Sequence, residues 1–176
     1  MENNRIKLVP PSMGLAPQML AAIQESKNEL SVFLPWVPYA LTTEDSVKNT
    51  QSAIDNYEQF EGELRFSIVD KESDILVGAI GLIIRDKAVP FFEIGYWLRT
   101  GHTGKGYITE AVKLVETYAF SELKANRLEI RAADTNSKSR AVAERCGYRF
   151  EGEHMNDRLL PSGELSNTVV YGKTGF

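Results

Sequence analysis

The chain has 176 residues, 43% hydrophobic and 25% charged, which suits a single soluble domain over residues 1–176 with a real core. A net charge of −4 argues against a nucleic-acid binder that relies on a broad basic face, while leaving room for a small basic pocket. The one cysteine, Cys146, excludes an intramolecular disulfide and a Cys-based zinc site. No apolar stretch is long enough to span a bilayer, and the opening MENNRIKLVPPS lacks a signal-peptide core, so a cytoplasmic location with no membrane partner is expected.

In chain order, Arg5 to Val9 alternates weakly and predicts a first strand. Ala16 to about Ser26 reads as helix, with Met19, Ala22 and Ile23 on one face. The prolines of VFLPWVPYAL then interrupt both helix and strand. Thr42 or Thr43 followed by acids starts a second helix running to about Phe60, with Val47, Ala53, Ile54 and Tyr57 on its apolar side. Leu64 to Val69, Leu76 to Arg85 and Pro90 to Leu98 read as three successive strands, and turn-rich connections make them an antiparallel meander. Lys105 to Phe120 is helical, Arg127 to Ala133 is a strand, and Ser137 to Cys146 is a short helix stopped by Gly147. Tyr148 to about Asn156 and Leu165 to Lys173 close the fold as two strands. The predicted class is α+β, a mixed sheet with helices; the apolar C-terminal strands leave room for a homodimer.

Three stretches stand out chemically. RTGHTGKGYITEA, residues 99–111, puts glycines where a strand feeds a helix. A helix N-terminus offers free N–H groups and a positive dipole end, and glycines let a phosphate approach the backbone. Thr103 to Thr109 therefore reads as a pyrophosphate cradle, though a tight turn plus helix cap has the same appearance. Neither a Walker A loop nor a dinucleotide G-x-G-x-x-G fits the glycine spacing. In NSKSRAVAERCGY, residues 136–148, Asn136 caps a helix whose inward stripe holds Ser139, Val142, Ala143 and Cys146. Ser139 is a candidate hydroxyl there, or a serine bonded back to a helical carbonyl. In FFEIGYWL, residues 91–98, Glu93 is the one charge, either on an exposed face or needing a partner. Cys146, His102 and His154 read as ordinary core or surface residues, and no second ligand suggests a metal.

Taken together, EIGYWL, GKGYITEAVKLVETYAF and NSKSRAVAERCGY, in this order and spacing, resemble the Gcn5-related N-acetyltransferase (GNAT) family, and LPW at 34–36 resembles its RimJ/RimL branch. The resemblance implies a seven-stranded, mostly antiparallel sheet with about four helices and strands 4 and 5 splayed. It implies acetyl-CoA as co-substrate and no metal. The family's pyrophosphate signature falls on Thr103, Gly104, Lys105, Gly106, Tyr107 and Ile108, with Thr109 following; Thr103 replaces its usual Arg or Gln, and Ile108 its final small residue. The pantetheine arm maps to Trp97, Leu98 and Arg99, with Asn136 and Ser139 beside it and Lys138 near a CoA phosphate. Leu98 N–H falls at the family's oxyanion donor. Glu93 falls where relatives carry a catalytic base, with Glu61 and Glu63 as competitors for handling the acceptor. The tyrosine that many members use as acid is Ala143 here, and RimL-like members point to Ser139 instead. Trp36 and Tyr39 either wall the acceptor groove or pack on the sheet. The branch implies a protein N-terminal amine, of a ribosomal protein first, as acceptor. A small amine such as a polyamine or aminoglycoside is the alternative, and a non-catalytic acyl-CoA-binding scaffold is the reading from another class.

Overall fold

The computed structural model describes residues 1–175. After the strand β1 (Ile6–Val9) come the helices α1 (Ala16–Glu25), α2 (Lys27–Leu30) and α3 (Thr43–Gln59). The strands β2 (Glu63–Asp70), β3 (Leu76–Asp86) and β4 (Phe91–Leu98) follow. Then come α4 (Tyr107–Ser121), β5 (Arg127–Ala133), α5 (Ser137–Arg145), β6 (Arg149–Leu159) and β7 (Leu165–Thr174). The expected order holds, with one extra helix, the single turn α2.

The boundaries have local causes. Thr42 accepts the Asp45 N–H at 3.0 Å while Asp45 returns a bond to the Thr42 amide, a reciprocal capping box that starts α3. Gly106 sits at φ 84°, left-handed backbone, so α4 begins at Tyr107 rather than at Lys105. Gly147, at φ 76°, follows the end of α5 as predicted. Val47 departs from expectation: it is exposed, and α3 instead buries Ser46, Thr50 and Ala53. The Ser46 hydroxyl donates to the Ala16 carbonyl at 3.0 Å, so the inward side of α3 is partly polar.

The strands form one sheet in the order β1-β2-β3-β4-β5-β7-β6. Strands β2 to β4 make the antiparallel meander, β1 adds antiparallel to β2, and β4 pairs with β5 in parallel because α4 carries the chain across. On one face, Leu64, Phe66, Ile80, Leu82, Phe92 and Ile94 pack with Ala111, Val112 and Val115 of α4 into the main core. The opposite face carries Glu63, Arg65, Ser67, Ala79, Gly81 and Gly95, small or polar side chains that cannot fill the layer above them. A second, small cluster of Ile23, Leu30, Val37 and Ala40 covers that face only in part. Val169, Val170 and Tyr171 of β7 are buried, while Met155, Leu159 and Leu165 are the exposed apolar groups of the last two strands. Among the described residues, no helix is long and apolar enough to cross a membrane.

Candidate active site

The sheet opens where β4 leaves β5. The Arg99 N–H donates to the Val77 carbonyl at 2.7 Å, and the β3–β4 register runs from Gly78 opposite Leu98 to Ile83 opposite Glu93. Antiparallel pairs exchange hydrogen bonds at alternate residues. The main-chain groups of Glu93, Gly95, Trp97 and Arg99 therefore serve β3, and those of Tyr96 and Leu98 point towards β5. Strand β5 answers only as far as Glu93 opposite Glu129. Tyr96 and Leu98 are left with main-chain groups facing a gap, which is the predicted splay.

At one end of that gap lies the glycine turn. Gly104 and Gly106 hold φ 76° and 84°, and a Cβ at Gly104 would meet nothing within 4 Å. No side chain caps α4. The first-turn amides of Tyr107, Ile108 and Thr109 have no intrahelical acceptor, and they open where the glycines leave room. A diphosphate fits this corner on those grounds. The side chains of Tyr107 and Ile108 are buried in the main core, so these residues offer backbone alone. Thr103 turns its hydroxyl back to the Thr100 carbonyl at 3.0 Å, and Lys105 stands exposed. Arg5, which the sequence does not single out, braces the turn: its Nη1 donates to the Lys105 carbonyl at 2.7 Å and to Glu110 at 2.9 Å, and its guanidinium lies over the Tyr107 ring.

At the other end is a cavity of about 520 Å³ between the sheet and the α1–α3 layer. Trp36, Tyr39, Glu63, Glu93, Trp97, Asn136 and Ser139 all line it. Trp36 leans on Trp97 with ring centroids 6.1 Å apart, so it both packs and walls the space. Tyr39 stands at the rim, 74% exposed. Glu93 is 12% exposed at its side chain and is held by Arg85, whose Nε donates to it at 2.9 Å. Glu63 forms no ion pair among the described residues. Its carboxylate occupies the space a Cβ at Gly81 would fill, so the bare glycine seats it. Burial pushes the Glu63 carboxyl above the ordinary carboxylate range; nearby Arg65 opposes this and Glu93 adds to it.

Side-chain alternation puts Glu93 and Tyr96 on opposite faces of β4. The Tyr96 hydroxyl reaches Ser139 Oγ at 2.9 Å and donates towards the Ser139 carbonyl at 3.2 Å. Burial raises the Tyr96 phenol far above its ordinary value, so it stays protonated. Either hydroxyl of this pair can donate in their contact, so Ser139 retains a proton of its own. Asn136 Oδ1 accepts the Ser139 N–H at 3.1 Å, and this cap fixes Ser139 in the first turn of α5. Ser139 therefore bonds across to β4, not back along its helix.

Several expectations need correction. Glu61 lies outside the cavity lining, exposed and paired with Lys87 at 2.5 Å, because Gly62 at φ 55° turns the chain between it and Glu63. The Arg99 side chain is committed to Glu25 at 2.7 Å and to the Leu76 carbonyl at 3.2 Å. Trp97 and Arg99 spend their main-chain groups on β3, so Leu98 alone of that trio faces the gap. Lys138 is exposed, as a side chain meeting a CoA phosphate needs to be, and it stands outside the cavity lining. Beside it, Arg140 Nη1 donates to the Asp134 carbonyl at 3.0 Å and its Nε to the Tyr171 hydroxyl at 3.3 Å. Tyr96 and Arg65 are missed by the motif reading, although period-2 alternation in their strands is a usable signal.

The profile of the acetyltransferase (GNAT) domain family matches residues 5–149. YdaF of Bacillus subtilis (strain 168) is 45% identical over 96 residues, 54% of this chain and 52% of that protein, so the match spans about half that relative's length. The ribosomal-protein-serine acetyltransferase of Escherichia coli (strain K12) is 32% identical over 142 residues, 77% of this chain and 76% of the relative. Among solved structures, the microcin C7 self-immunity acetyltransferase MccE, in complex with acetyl-CoA and AMP, superposes with a TM-score of 0.89 at 28% identity, covering 98% of this chain and 93% of its own. A family match over residues 5–149, carried by a sheet that opens between its fourth and fifth strands, makes this chain a member of the GNAT acetyltransferase family.

Proposed function

We propose that the protein moves an acetyl group from acetyl-CoA to a primary amine, the N-terminal α-amine of a protein. The observation that carries this reading is the continuity of one gap: the uncapped α4 N-terminus at one end, the unpaired main chain of Leu98 along it, and the carboxylate-lined cavity at the other. The amides of Gly106 to Thr109 would hold the coenzyme diphosphate, and the bound thioester supplies the acyl group. An α-amine has a reference pKa of about 8 and must lose a proton before it attacks. Glu63, whose carboxyl burial pushes above the ordinary carboxylate range, takes that proton, while Glu93, paired with Arg85, orients the ammonium. As the C–N bond forms, the Leu98 N–H meets the oxygen that gains charge. The C–S bond then breaks, the Ser139 hydroxyl gives its proton to the thiolate, and the second proton leaving the new amide nitrogen restores that hydroxyl through solvent. The acceptor and the coenzyme approach from opposite faces of β4, matching the separation of Glu93 from the Tyr96–Ser139 pair.

A protein terminus is favoured over a polyamine, because Arg65 and Arg158, neither in an ion pair among the described residues, line the same cavity and repel a polycation. The E. coli relative, named for acetylating a ribosomal protein's serine, supports the same choice. The single buried thiol, Cys146, is in keeping with reaction in the cytosol. Thiol release measured with N-terminal peptides, polyamines and aminoglycosides tests the reading: peptides should turn over. Calorimetric CoA binding with no turnover on any amine would leave only a binding protein.

A further inference from the structure

Among the described residues, five of the ten guanidinium groups in this protein form an ion pair with a carboxylate. Arg5 has Glu110, Arg85 has Glu93, Arg99 has Glu25, and Arg127 has Glu129 and Glu151. In the cavity, Arg131 meets Asp157 at 3.2 Å. Arg65 and Arg158 line the cavity too, yet among the described residues neither forms an ion pair. Arg65 makes one hydrogen bond, from Nη2 to the Asn49 carbonyl at 3.1 Å. Arg158 makes one as well, from Nε to Thr168 Oγ1 at 3.3 Å. A guanidinium has five N–H donors, so most of theirs remain free. Burial lowers the Arg65 pKa, and Glu63 only partly opposes this. A desolvated cation without a counter-ion is costly unless a ligand brings one.

The sheet register puts these charges in rows. Glu63 lies opposite Ile83, which lies opposite Glu93; Arg65 lies opposite Gly81, which lies opposite Gly95. The rows are one side-chain repeat apart, about 7 Å along the strand. Glu63 leans from the first row over Gly81, and Gly95 adds no side chain beyond it. Once Glu93 is assigned to Arg85 and Arg131 to Asp157, the cavity retains one unpaired carboxylate and two unpaired guanidinium groups. That set complements a molecule with both an amine and an anion.

We propose that the acceptor carries an anionic group, carboxylate or phosphate, close to its reacting amine, and that Arg65 holds it. This rests on the acetyl-transfer reading above and specifies its substrate class. The anion comes either from an acidic side chain early in a peptide or from a small amino acid-like or phosphorylated amine.

The test compares kcat/KM for two C-terminally amidated peptides, Ser-Asp-Ala-Ala-Ala-Ala and Ser-Asn-Ala-Ala-Ala-Ala, and for phosphoethanolamine against ethanolamine. A charge-assisted contact should favour the anionic member of at least one pair by about 10-fold or more. A preference within the peptides identifies an acidic terminus, and one confined to the small amines identifies the free compound. Arg65→Met should bring the ratio to about 1, and Arg65→Lys should keep part of it. If Arg65→Met does not fold, the wild-type ratio and Arg65→Lys decide. Equal kcat/KM within both pairs overturns the inference while leaving acetyl transfer intact. If nothing turns over, calorimetry with the CoA-loaded protein separates the two. Selective binding of the anionic probes upholds the anion site and sinks acetyl transfer; no selectivity sinks both.

Discussion

Replacing Gly106 with alanine tests the phosphate cradle directly. Gly106 holds φ 84° at the N-cap of α4, a conformation that a Cβ penalises. The left-handed region costs an L-residue about 1–2 kcal/mol. Crowding adds little, since the nearest atoms to a Cβ there are Arg5 Nη1 at 3.8 Å and Glu110 Oε1 at 3.9 Å. The penalty must then appear in one of two places. If the turn keeps its shape, the free protein loses that stability, and at about 2–4 °C per kcal/mol the Tm falls by about 2–8 °C. If the turn relaxes, the Tm holds but the coenzyme must restore the shape, and CoA affinity falls by about 5–30-fold. Scanning calorimetry and titration calorimetry on the same preparation read both. Gly152→Ala is the control, because Gly152 lacks positive φ and a Cβ there meets nothing within 4 Å. A Gly106→Ala protein with wild-type Tm and wild-type CoA affinity would refute the reasoning.

Four more outcomes follow from the geometry. Glu63→Gln should lower kcat by about 100-fold or more, seen by thiol release with saturating peptide. Because the folded pKa of Glu63 is raised, the folded state holds its proton more tightly than the unfolded one. Stability should therefore fall as pH rises from the ordinary carboxylate pKa through the raised one, and Glu63→Gln should remove that fall in denaturant titrations across the window. Ser139→Ala should depress kcat with little change in KM, and wild-type kcat at every pH would remove Ser139 as the acid. Thr42→Ala breaks the capping box of α3 and should cost about 1 kcal/mol, measured by urea unfolding, with activity per folded molecule unchanged.

Much of the fold is legible in the sequence because it is written in local terms. Alternation in Leu64–Val69, proline interruptions near Trp36, and the acids after Thr42 each act within a few residues. The element order follows from these signals, with small shifts at the ends. The α2 turn is not legible, because four residues carry no readable period. Val47 misleads, because α3 buries hydroxyls against Ala16 where an apolar stripe is expected.

The sequence by itself determined the glycines of the α4 turn, the hydroxyl at 139, the acids at 63 and 93, and through their joint order the family. Only the tertiary structure decided which of these meet. It sent Glu61 to Lys87 and Arg99 to Glu25, seated Glu63 over a bare glycine, and joined Tyr96 to Ser139 across 43 positions of chain. The physical reason is range. Backbone preference and side-chain period act over one turn or one pleat, whereas ion pairing, desolvation and strand register depend on neighbours that only folding brings together.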